Sequence, residues 1–186
     1  MTNEKSAARR VARALILVSL ISLATAVLAV ASGPPRLPKS DLVRCEDIIR
    51  DMAAPNPIQR VLLQHIALPP ERFATRLHYS RYRQPFPYFA KDGIGVRYAT
   101  AAVELVVPAA WRQRFAIGWG SPARAASSVR IPPCTGIGYP SDGWRAYAGG
   151  YWVRKPACVP LIVRVGSETT SIRLGIGVTC PADPSE

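Results

Sequence analysis

Histidine is scarce in this chain, with 2 in 186 residues, so few side chains are available to move protons near neutral pH. Acids are also few, with 12 Asp and Glu against 24 Lys and Arg. There is no H-E-x-x-H, no G-x-S-x-G and no Walker-type glycine loop. G-x-G, as in Gly175-Ile176-Gly177, never extends to G-x-G-x-x-G. The familiar zinc-protease, serine-hydrolase and dinucleotide signatures are thereby missing. No C-x-x-C pair exists, and His65 and His78 are distant in sequence from the cysteines, so zinc is not expected and neither is any other metal or cofactor. A carboxylate pair for glycoside hydrolysis would have to be drawn from isolated acids such as Asp92, Glu104 and Asp142.

The chain is rich in turn-formers, with 13 Gly and 18 Pro, which favours strands over long helices. Hydrophobic residues make up 48%, enough for an ordered core. The formal charge is +12, an excess that suits anionic neighbours, although a spread of solvated arginines is the simpler reading.

Residues 14–31 form an uncharged, mostly apolar run behind Lys5, Arg9, Arg10 and Arg13. As a helix it would span about 27 Å, close to the hydrocarbon thickness of a bilayer. Ala29-Val30-Ala31 also has the small-x-small form of a signal cleavage site. Residues 1–31 are therefore a signal peptide or a single transmembrane anchor. Both place the rest of the chain outside the cytoplasm, with the basic flank inside. Residues 32–40 read as a Pro-rich linker and residues 41–186 as an extracytoplasmic β domain.

Within that domain, residues 40–52 predict an amphipathic helix, capped by Ser40 or Asp41, with Leu42, Cys45, Ile48, Ile49 and Met52 on one stripe. Residues 60–68 read as a buried strand stopped by Pro69-Pro70, with a short helix as the alternative. Residues 72–91 interleave Arg72, Arg76, His78, Arg81, Arg83 and Lys91 with Phe73, Tyr79, Tyr82, Phe86, Tyr88 and Phe89. Such a mixture can hold phosphates and stacked rings. Outside the cytoplasm it reads as a surface loop whose aromatics pack on a sheet, and no nucleic-acid partner is expected.

From Ile94 onward the period becomes two. Val103, Leu105 and Val107 share a face, as do Phe115, Ile117 and Trp119, then Val129 and Ile131. Val159, Leu161, Val163 and Val165 alternate with Pro160, Ile162 and Arg164, while Ile172, Leu174, Ile176 and Val178 alternate with Arg173 and glycines. A hairpin about Ser167 joins these last two strands. The fold class expected is mainly β, a small antiparallel β-sandwich of about six strands with the N-terminal amphipathic helix.

Four cysteines in an exported chain predict two disulfides. A turn centred on Ser167 sets Cys158 opposite Ile176 and leaves Cys180 about four residues further out, too far for a bond at roughly 3.3 Å per residue. The expected pairs are therefore Cys134–Cys158 and Cys45–Cys180. Between Cys134 and Cys158 lie Tyr139, Trp144, Tyr147, Tyr151 and Trp152, a candidate binding surface able to stack on sugars or grip a protein. The alternative is that these rings are core.

The runs VPAAWRQRFAIGWG, SSVRIPPC, W-x-x-Y-A-G-G from Trp144, C-V-P-L from Cys158 and G-x-G-x-x-C ending at Cys180 resemble a set of exported, membrane-anchored proteins of actinobacteria. The resemblance covers residues 94–180 and implies export and a β domain. It carries no assigned activity and hence no functional residues. The function expected is a non-catalytic binding domain, anchored in the cell membrane through residues 14–31 or secreted. Its partner would be an envelope polymer or a membrane protein. The alternative is a secreted hydrolase built around His65 or His78.

Overall fold

Where the sequence alternates with period two, between Val103 and Ile176, it forms paired strands. The computed structural model describes residues 37–71, 74–79, 85–98, 101–135 and 143–182. Among them the strands are β1 (Asp41–Leu42), β2 (Ile48–Met52), β3 (Arg60–Leu62), β4 (Ile66–Leu68), β5 (Ala74–Thr75), β6 (His78–Tyr79), β7 (Tyr88–Arg97), β8 (Val103–Val106), β9 (Phe115–Trp119), β10 (Ser128–Ile131), β11 (Trp144–Val153), β12 (Ala157–Val165) and β13 (Glu168–Ile176). The unit Pro35–Glu186 contains all of them; residues 14–31 lie outside the described residues. Among the described residues no helix is long and apolar enough to cross a membrane.

The first sheet has the order β1-β10-β8-β12-β13-β5. Its centre is the expected hairpin, with nine register pairs from Ala157↔Ile176 to Val165↔Glu168 around Gly166-Ser167. It is antiparallel except at its ends, where β1 runs parallel to β10 and β5 parallel to β13. The second sheet has the order β2-β11-β7-β4-β3, with β6 also on β7 and β9 also on β11. Two ten-residue strands organise it. β11 pairs with β7 along its whole length, while its other edge serves β2 at Trp144–Tyr147 and β9 at Gly149–Val153.

One buried cluster takes Val103, Leu105, Val163 and Leu174 from the first sheet and Ile66, Ile94, Ile117 and Tyr151 from the second. That shared core is the arrangement of a β-sandwich. Each such side chain contributes roughly 1.5–3 kcal/mol on removal from water. Faces predicted by alternation hold in β8, β12 and β13, where Val159, Leu161, Val163, Ile172, Leu174 and Ile176 are all buried. Val178 is instead exposed, because β13 ends at Ile176.

Two expectations are corrected. Residues 40–52 are not an amphipathic helix. They form β1, a 3-10 turn at Cys45–Asp47 and β2, crossing from the first sheet to the second. Leu42 and Ile49, placed on the buried stripe, are 58% and 57% exposed. Pairing to β10 and β11 overrides the helical spacing, and β-branched Ile48-Ile49 suits a strand. Buried Asp47 holds the crossing, accepting from the Arg44 N–H at 2.9 Å and the Arg44 guanidinium at 3.1 Å. Burial pushes this carboxyl up, but hydrogen bonds from Arg44 and the Ser121 N–H outweigh it and hold it below the usual range.

The disulfides are Cys45–Cys134 and Cys158–Cys180, not the expected pairs. The hairpin register is one residue off, with Cys158 opposite Gly175. More importantly, the strand does not run on to Cys180. Gly177 takes φ +72°, a conformation that glycine adopts freely, and the chain turns back until the two Cα atoms are 5.1 Å apart.

Candidate functional site: a groove at the open edge of the second sheet

Proline makes the opening. Pro69-Pro70 ends β4 after only two register pairs with β7, Ile66↔Val96 and Ala67↔Gly95, because proline has no N–H to continue a ladder. β6 takes up β7 again at His78↔Phe89 and Tyr79↔Tyr88. Between these contacts, no strand among the described residues pairs with β7 on that side for Ala90–Ile94. The Gln59 side-chain amide donates to the Gly93 carbonyl across the gap at 2.9 Å. Gln59 belongs to a turn in which its N–H donates to the Asn56 carbonyl, while the Ile58 N–H donates to the Asn56 side chain.

The result is a groove of about 570 Å³. Its apolar walls are Ile49 and Met52 of β2, Ile58 of the turn, Pro69 and Pro70, with Ala146 beneath. Ile49 and Ile58, at 57% and 58%, are among the most exposed large apolar side chains described. Arg50, Arg76 and Lys91 are its cations, all exposed, and no acid pairs with them among the described residues. A cavity of this size falls within the roughly 300–1,000 Å³ usual for small-ligand sites.

Asp92 stands in the gap, half-buried, on the inward side of β7 with Ala90 and Ile94. The Tyr151 hydroxyl donates to its carboxylate at 2.9 Å. Burial pushes the Asp92 carboxyl up to about 6, against the hydrogen bonds from Tyr151 and the Gly93 N–H. Burial, with the neighbouring Asp92 charge, raises the Tyr151 phenol well above its ordinary range. The Tyr151 ring meets Trp119 edge-on at 5.5 Å between centroids. Gly149 makes room here: a Cβ on it would lie 2.2 Å from the Gly118 carbonyl oxygen and 2.5 Å from the Trp119 ring.

The expected aromatic surface is not what β11 presents. Tyr147 and Tyr151 have no exposed area and belong to the core, and Trp144 is buried. Trp152 is half-buried, with its ring against Phe89 at 4.7 Å. Tyr139 lies outside the described residues. Period two along β11 puts Tyr147, Tyr151 and Val153 inward together; the interposed glycines and Arg145 hide this in the sequence. Arg145 is itself 3% exposed, its guanidinium 4.1 Å from the Tyr98 ring, and the Tyr98 hydroxyl donates to Asp51. Burial first, and then the Asp51 bond, raise the Tyr98 phenol, against the opposing effect of Arg145.

The two imidazoles do not meet the acids. His65 sits in the β3–β4 turn with a buried Nδ1 that has no hydrogen-bond partner among the described residues, His78 is exposed on β6, and neither is among the described residues that line the groove. Of the acids considered singly, Glu104 pairs with Arg164 on the surface at 3.1 Å, and Asp142 lies outside the described residues. Of the basic stretch, Arg76 and Lys91 reach the groove; Arg72, Arg81 and Arg83 lie outside the described residues. Among the described residues no group of His, Cys, Asp and Glu is arranged to hold a metal. Ile49, Arg50 and Ile58 were not legible as site residues, since exposure depends on the sheet crossing. Asp92 carried a readable signal: with Ala90, Ile94 and Val96 inward, period two places its carboxylate inward as well.

The fold and groove together define a two-sheet β domain with an apolar, cation-rimmed cleft. No protein-family model, curated protein or solved structure matches the chain.

Proposed function

We propose that this is an extracytoplasmic, non-catalytic binding domain of a protein anchored in the membrane through residues 14–31 or secreted, and that the groove beside β7 is its binding site. The carrying observation is the convergence on one cavity of exposed Ile49 and Ile58 with Arg50, Arg76 and Lys91, which pair with no acid among the described residues. Two disulfides that use all four cysteines support a location outside the reducing cytoplasm. The resemblance of residues 94–180 to exported actinobacterial proteins agrees with that location.

A photo-crosslinking side chain at position 58, installed in the full chain in its own cells, tests the site. The same group at Val178, exposed beyond β13, is the control. The expected result is an adduct formed at position 58 and not at 178. Equal labelling, or none at 58, removes the groove as the site.

One observation favours the second reading, a secreted hydrolase: a carboxyl near 6 in a cleft suits general acid–base work. It ranks second because the group that touches Asp92 is the Tyr151 phenol, which is fully buried and held protonated.

A further inference from the structure

The chemistry of the groove specifies its ligand more narrowly, given the binding reading above. Apolar side chains exposed to water are costly when they line a cleft together, and Ile49 and Ile58 do so beside half-buried Met52. A purely polar ligand would leave them wet. A purely apolar ligand would leave Arg50, Arg76 and Lys91, which pair with no acid among the described residues, without a counter-charge at its end. Among the described residues the one acid lining the groove does not neutralise them, because Asp92 is turned inward to the Tyr151 hydroxyl. We infer that the groove binds an anionic amphiphile, a single apolar chain ending in a carboxylate or phosphate, with the chain against Ile49, Met52 and Ile58 and the head among Arg50, Arg76 and Lys91. Electrostatic complementarity of this kind sets orientation and selectivity, while apolar burial supplies most of the affinity.

The test uses the full-length chain in nanodiscs of zwitterionic lipid, with empty nanodiscs as blank. The probe is 11-(dansylamino)undecanoate, whose emission rises on leaving water, displaced by laurate, dodecyl phosphate or dodecanol. Saturable probe binding is expected, with displacement by laurate or dodecyl phosphate at concentrations at least about tenfold below those dodecanol requires. The order of the two anions identifies the head group. Arg50→Gln/Arg76→Gln/Lys91→Gln should weaken the anions about tenfold or more and leave dodecanol unchanged. Ile58→Asp should weaken all three competitors. Both variants alter exposed side chains, and an unchanged thermal transition verifies their fold. The assignment is overturned by absence of saturable binding, by dodecanol competing as well as the anions, or by variants that bind like the wild type. If binding fails while position 58 still crosslinks a macromolecule, the groove remains the binding site but its ligand is not an amphiphile. If both fail, the binding reading falls with it.

Discussion

The two sheets solve the same packing problem with different materials. In the first, β12 and β13 bury every second residue, their turn carries a glycine where φ is positive, and Cys158–Cys180 closes the hairpin on itself. In the second, β7 and β11 carry glycines, an inward carboxylate and a buried arginine, and each long strand shares an edge between two short partners. In the first sheet the inward face of β12 and β13 is unbroken and the turn chemistry agrees with it, although Pro160 and Ile162 stand on the outward face of β12. The second departs from that pattern in part where the groove lies, at Asp92 and Gly93. Departures from local consistency concentrate where a surface has work other than folding.

The largest effect that would sharpen this contrast concerns the disulfides. Cys158–Cys180 spans 22 residues within the first sheet, whereas Cys45–Cys134 spans 89 and fastens the crossing between the sheets to the end of β10. Loop-closure entropy then assigns about 4.6 kcal/mol to the long bridge and about 3.4 kcal/mol to the short one. Urea unfolding of Cys45→Ala/Cys134→Ala and Cys158→Ala/Cys180→Ala should show the first pair losing more. If the short bridge costs more, the first sheet depends on its cross-link, and its self-sufficiency is an illusion.

Legibility followed the same division. Val159, Leu161, Val163, Ile172 and Leu174 could be assigned to a buried face from sequence because nothing in β12 or β13 competes with the alternation. About six strands were expected from such patterns; β1, β5 and β6 escaped because two residues hold no pattern, and β2 because its residues do not alternate in burial. Ile48 and Ile49 fitted a helix as well as a strand, and only the free edge of β11 decides between them. The disulfide pairing failed at a single backbone angle, that of Gly177, which no residue count could supply. The groove was legible only in a fragment, Pro69-Pro70 as a strand stop; Asp92 was noted only as an isolated acid, because the surface-loop reading of residues 72–91 hid the start of β7.

Asp92 gives the next effect, and it belongs to the second sheet alone. Its folded-state carboxyl titrates near 6, raised by burial from 3.8, so between those values the native protein holds the proton that the unfolded chain releases. Stability from this group is therefore lost as pH rises through that window, and the full cost stands above about pH 6, on the order of 3 kcal/mol less what solvent at the groove mouth screens. Asp92→Asn keeps an acceptor for the Tyr151 hydroxyl and removes the charge. The variant should be more stable than the wild type by about 1–3 kcal/mol at pH 7.5, with the difference shrinking towards zero near pH 4. A difference that does not vary with pH would mean that the carboxyl is not perturbed and that the second sheet buries no charge here.

The smallest effect compares the two hairpin turns. β12–β13 turns at Gly166-Ser167, with φ +56° at the glycine. β3–β4 turns at Leu63-Gln64, with φ +48° and +59° on side chains that resist the left-handed region, closed by the His65 N–H on the Leu62 carbonyl at 3.0 Å. Leu63 packs against the core, so its strain is tied to a contact, whereas Gln64 is exposed and has none to lose. Gln64→Gly relieves about 1–2 kcal/mol of steric cost and loses about 0.5–1 kcal/mol to the freer unfolded chain, a net gain of about 0.5 kcal/mol. Gly166→Ala should instead destabilise, because it places the same strain on the first sheet. The urea midpoints of the two variants should therefore move in opposite directions at constant slope. If both fall, positive φ at Gln64 carries no strain, and the β3–β4 turn that sets Gln59 and Ile58 beside β7 is as well suited to its residues as the turn of the first sheet.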